Sequence, residues 1–153
     1  MRRLVAAAIG LLAVAACGGD GTASAPIVDR IDQAIEAVEA YYGAPQQYFE
    51  ISATIDEVSF IVAVDEATSA EQGRFSSEGE FTAPQPVGPA NGATFGAEAI
   101  GFDPDRIFAQ IRVELGDPVI VDFAIQGTNA GTVLYDATVA SDAGGVLLVL
   151  LGP

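Results

Sequence analysis

Residues 48–64 read YFEISATIDEVSFIVAV, and the fold turns on this stretch. Its first part alternates, with Phe49, Ile51 and Ala53 on one side and Glu50, Ser52 and Thr54 on the other. A period of two marks a strand with one buried face. Asp56-Glu57 interrupts the pattern as a two-residue turn. Val58 to Val64, rich in β-branched and aromatic residues, is the returning strand. A lone hairpin is marginal in water and needs further strands or a helix against its apolar face.

Both neighbours are legible. Upstream, Ile31, Ala34, Ile35 and Val38 form one helical stripe, continued by Tyr41 and Tyr42, with Asp29, Asp32, Glu36 and Glu39 on the other side. Gly43-Ala44-Pro45 ends that helix. Downstream, 65–73 is polar and predicts a loop, and 74–81 predicts a weaker third strand. The stretch from Pro84 to Gly101 holds three prolines and no periodicity, and predicts a long connection with a short extended piece at 93–95.

The pattern then restarts. Asp103-Pro104 is a helix start, with Asp as N-cap and Pro in the first turn. Ile107, Phe108, Ile111 and Leu115 make its apolar face, and Gly116-Asp117-Pro118 stops it. Strands follow at 119–125, 132–140 and 146–151, with turns at 127–131 and 142–145. The last of these, Val146 to Leu151, is apolar on both faces and predicts a central strand covered on both sides. At a sheet edge it would instead be a pairing site.

Asp-Arg-Ile opens a helix in each half, at 29–31 and 105–107. The expected fold class is α+β: two helices packed on antiparallel sheet, built as two αβββ units at 26–82 and 102–153 with a linker at 83–101. In element order this resembles PepSY-type modules and the tandem-repeat β-lactamase inhibitor proteins. No residue motif accompanies that likeness, and it implies a fold without a function.

The N-terminus has a different signature. Arg2 and Arg3 precede an apolar run from Leu4 to Ala16, the layout of a secretory signal. The run is shorter than the roughly 20 residues needed to cross a bilayer. Val14-Ala15-Ala16-Cys17 resembles the lipobox of bacterial lipoproteins. The resemblance implies a signal peptide at 1–16, cleavage before Cys17, diacylglycerol on its thiol, and a membrane-anchored, extracytoplasmic product. Residues 17–25 then form a lipidated tether of Gly, Ser, Thr and Ala character with a reach of about 15 Å, and 26–153 is one domain.

Composition narrows the chemistry. Histidine is absent, and so is lysine. Past the leader, Arg30, Arg74, Arg106 and Arg112 face 21 acids, a net charge two units more negative than the full chain's −15. Nucleic acid, bound through cationic contacts to phosphate, is not an expected partner. Ser-His-Asp and Cys-His catalysis lack their base, zinc sites of Cys/His type lack their ligands, and no phosphate loop has its lysine. No cofactor is expected.

Among the acids, Asp103 and Asp105 serve the helix start. Asp56, Glu57, Asp65, Glu66 and Glu71 are solvated acids in or near turns whose spacing matches no calcium loop. Tyr41, Tyr42, Tyr48, Phe49 and Phe60 are expected mainly in the core, with one of the adjacent pair Tyr41 and Tyr42 left at the surface.

The reading that follows is a non-catalytic binding or interaction module. It is placed at the envelope by lipid on Cys17 and recognises an envelope protein or ligand of unstated identity. Carriage of a lipid or other apolar ligand is the alternative, and a carboxylate-based hydrolase ranks below both. Two acyl chains anchor stably where one does not. Replacing Cys17→Ser is therefore expected to move the protein from the membrane to the soluble fraction of lysed cells. Retention on the membrane would sink the anchor.

Overall fold

The computed structural model describes residues 25–116, 118–140 and 146–151. The leader, Cys17, most of the tether and the turn at 142–145 lie outside the described residues. The chain runs α1 (Ile31–Tyr42), β1 (Tyr48–Ala53), β2 (Glu57–Val64), β3 (Ser69–Ser76), β4 (Phe81–Pro89), α2 (Pro104–Leu115), β5 (Val119–Gly127), β6 (Val133–Ala140) and β7 (Val146–Leu151). The strands form one seven-stranded sheet in the order β4-β3-β2-β1-β5-β6-β7. Every neighbouring pair is antiparallel. The α+β class is what the patterning predicts.

Both helices end as their residues dictate. Gly43 takes a left-handed φ of 74° and returns its N–H to the Glu39 carbonyl at 2.7 Å. Gly116 does the same for α2 with a φ of 73°. A residue with a Cβ would strain at either cap. At the start of α2 the Asp103 carboxylate accepts the Arg106 N–H at 3.1 Å, with Pro104 beside it. Leu115 departs from expectation: it ends the helix and is exposed, so only Phe108 and Ile111 of that face are buried.

One face of the sheet makes the core. Ile51, Ala53, Val58, Phe60, Val62, Phe123, Ile125, Tyr135, Ala137 and Val139 lie beneath Ile31, Ala34, Ile35 and Val38 of α1 and Phe108 and Ile111 of α2. Phe108 meets Phe123 edge to face with ring centroids 5.8 Å apart. Phe102, in the connection before α2, stacks on Phe123 at 4.9 Å.

Three expectations need correction. The third strand begins at Ser69, inside the stretch read as a loop. A fourth strand, β4, runs from the end of the expected third strand into the expected linker despite Pro84, Pro86 and Pro89. An edge strand needs only one side of its backbone for pairing, so prolines are tolerated there. The first half therefore has four strands after its helix, and the second has three. Finally, a bulge in β1 shifts the register between Tyr48 and Glu50. It places Tyr48, not Phe49, fully in the core.

The 93–95 segment is extended as predicted. Phe95 exchanges both backbone bonds with Tyr48, at 2.8 and 2.9 Å, and so straps the connection across the start of β1.

Beneath α1 the sheet leaves a slot for Phe60, which is 1% exposed and stacks on Phe81. Gly73 on β3 makes that slot. A Cβ there would stand 2.5 Å from the Phe60 ring and 2.9 Å from the Thr82 carbonyl oxygen. Gly73→Ala is expected to cost about 1–3 kcal/mol by overpacking, read as a fall in Tm by circular dichroism. Phe60→Leu in the same chain should recover part of the loss. An unchanged Tm for Gly73→Ala would show that the ring moves aside freely.

Candidate interaction surface

The helices cover one face of the sheet, and no described element covers the other. Alternation along each strand assigns the second face: Glu50 and Ser52 on β1, Ser59 and Ile61 on β2, Gln72 and Arg74 on β3, Ala124 and Gln126 on β5, Leu134, Asp136 and Thr138 on β6, and Leu148 and Leu150 on β7. Each stands opposite a residue of the same face in the strand register.

This face changes character across the sheet. Its β1–β3 side is polar and bonded within itself. Gln72 donates to the Ser59 hydroxyl at 3.1 Å, Gln126 to Glu50 at 3.1 Å, and Arg74 lies 3.8 Å from Glu57 in an exposed ion pair. Such a surface pair is worth little by itself. The β7 side is mainly aliphatic, with Asp136 and Thr138 of β6 beside it. Leu134, Leu148 and Leu150 are exposed, and the row Val119, Ala140, Val146 closes the lower end.

β7 lies at the edge, contrary to the central position its all-apolar character predicts. Val146 is 71% exposed, Leu148 58% and Leu150 64%. A contiguous aliphatic patch on a chain this acidic is the kind of surface that marks an interaction site.

Besides Glu50, two further acids, Asp122 and Asp136, sit in this face. Asp136 is only 9% exposed, between Ala124 and Leu150, and burial pushes its carboxyl above the ordinary range. Asp122 is raised as well, by burial first and then by the charges of Asp136 and Glu50. The alternation Tyr135, Asp136, Ala137 is the signal in the sequence that opposes Asp136 to the core.

The other acids do not gather. Among the described residues no group of three could hold a metal ion. Asp103 is a cap. Asp65, Glu66 and Ala67 form a left-handed turn with φ of 51°, 57° and 63°. That conformation costs an L-residue about 1–2 kcal/mol, and Thr68 braces it by donating its hydroxyl to the Asp65 carbonyl at 2.7 Å.

Beside this turn lies an open depression of about 250 Å³ walled by Val64, Asp65, Ala70, Glu71, Pro86 and Pro89, among others. Its mixed acidic and proline wall is unlike the apolar sleeve of a lipid carrier, and neither Asp122 nor Asp136 lines it.

The aromatic residues go chiefly to the core. Tyr48 and Phe60 are buried, and Tyr42 packs against the core with its hydroxyl on Glu71. Burial, then that carboxylate, holds the Tyr42 phenol far above its usual range. Tyr41 is the exposed member of the pair, at 54%. The Tyr48 hydroxyl is buried and has no hydrogen-bond partner among the described residues.

The chain matches no protein-family model, no curated protein and no solved structure. No described helix is long and apolar enough to cross a membrane.

The raised carboxyl of Asp136 has a consequence for stability. The folded state holds that proton more tightly than the unfolded chain, whose carboxyl titrates near about pH 4. Folding is therefore unpenalised in acid. It loses stability as pH rises through that range to the raised folded value, and stays weakened above it. Asp136→Asn is expected to raise Tm at about pH 7 and to lose most of that advantage near about pH 3. Parallel melts at the two pH values measure it. An equal Tm difference at both would show that the charge is not the cause.

Proposed function

We propose that the protein is a bacterial envelope lipoprotein, anchored through lipid on Cys17, whose globular part is a non-catalytic interaction module. Its binding region is the uncovered sheet face together with the β7 edge. The observation that carries this reading is β7 itself, an exposed, uncharged, aliphatic edge strand on an otherwise acidic chain. Surfaces of that kind lose apolar exposure when another protein covers them.

The missing residue types favour binding over catalysis. With no histidine and no lysine, acid–base work falls to carboxylates and tyrosines. The two acids with raised carboxyls stand in an open sheet face, away from the depression.

We also propose that the domain is two αβββ units joined through β1 and β5, with β4 as an addition to the first. Supporting this, each central strand follows a twelve-residue helix that ends in a left-handed glycine with a proline two residues on, and each then meanders outward.

Photo-crosslinking in intact cells tests the interaction surface. A benzophenone amino acid is placed at Leu150 on β7 or at Gln85 on the opposite edge. Adducts of defined mass from position 150, and few from position 85, are expected. Equal yields from both positions, or no adduct from position 150, would overturn the assignment.

A further inference from the structure

We infer that β7 pairs antiparallel with the β7 of a second copy of this chain, joining two seven-stranded sheets across a two-fold axis. This rests on reading the β7 edge as an interaction surface, and it names the partner.

The two edges of the sheet are built differently. β4 carries Pro84, Pro86 and Pro89, and Gly88 with a φ of 124°. Prolines remove backbone donors and keep an edge from recruiting another strand. β7, Val146–Leu151, contains no proline, glycine or charge. On its side away from β6 no described strand takes up its backbone groups. Leaving one edge guarded and the other bare is the pattern of a sheet that extends in one direction.

Charge confines a second copy to this edge. Two molecules that each carry 21 acids and at most six arginines repel wherever their acids meet. No acid lies on β7, and the one acid directly opposite it on β6, Asp136, is only 9% exposed. The edge is therefore the place where two copies approach without opposing carboxylates.

The strand is also self-complementary. Leu147 and Val149 stand opposite core residues Val139 and Ala137, while Leu148 and Leu150 stand opposite Thr138 and Asp136 of the uncovered face. A two-fold axis normal to the sheet pairs like faces with like. Centred on Leu148 or on Val149, it opposes only aliphatic residues and leaves both helix layers on the same side.

A six-residue strand is about 20 Å long. Such an edge falls short of the roughly 800 Å² per partner of a stable interface, so the dimer is reversible and depends on concentration.

The test introduces single thiols into the full chain, at Leu147→Cys, Leu148→Cys and Val149→Cys, with Gln85→Cys as the β4 control. In an antiparallel pair only residues near the axis bring their Cα atoms within disulfide reach, about 4.4–6.8 Å. Mild oxidation of membranes should give a reducible band of twice the monomer mass for Leu148→Cys or Val149→Cys, and none for Gln85→Cys.

Leu150→Asp, at a position that is 64% exposed and with the fold checked by circular dichroism, should cut that yield at least tenfold in the doubly substituted chain. Equal dimer from every position marks random collision and overturns the pairing. So does monomer alone at all three β7 positions. The benzophenone at position 150 separates the cases. An adduct with a different protein, or with lipid, overturns the second copy; the former leaves the interaction surface standing. No adduct at all overturns both.

Discussion

The domain depends on one strand pair. β1 and β5 meet antiparallel with Ile51 opposite Ile125 and Ala53 opposite Phe123, and among the described strands this is the one ladder that joins the two halves of the sheet. All four side chains are 1% exposed or less. The pairing joins residues 70 to 76 positions apart, so it closes the longest loop in the sheet and carries its entropic cost. Each half delivers a helix to the same face, and the two helices share one core only because this seam brings their sheets into register. Without it each half would be a small meander under one helix, with apolar surface left at the break.

The elements that announce themselves do so through local rules. Both helices have an unambiguous stripe and a glycine stop. The Asp103-Pro104 start acts within four residues, and the β1–β2 hairpin declares itself by alternation. β4 escapes notice because proline is a strong local signal against strand, and only the sheet order reveals that it occupies an edge. The β1 bulge escapes for a related reason. One extra residue moves Tyr48 inward, and the backbone bonds to Phe95 that fix it come from a segment nearly fifty residues away.

The interaction surface was legible in part. The apolar run 146–151 stands out in the sequence, but hydropathy cannot tell a buried central strand from a bare edge. Position in the sheet decides between them, and that is set by topology. Asp136 is the converse case. Its place on the second face follows from simple alternation, whereas the neighbours it meets there, Ala124 and Leu150, are set by the order of the strands.

The three prolines of β4 have a consequence for how large an assembly can grow. A protein with two open sheet edges would add copies at both ends without limit and form a fibre. Here one end is capped by residues that cannot donate to a further ladder. Pairing through the other end uses it up in both molecules at once. Association through the sheet is thus a closed reaction of order two, and the same prolines that hide β4 from sequence reading set its stoichiometry.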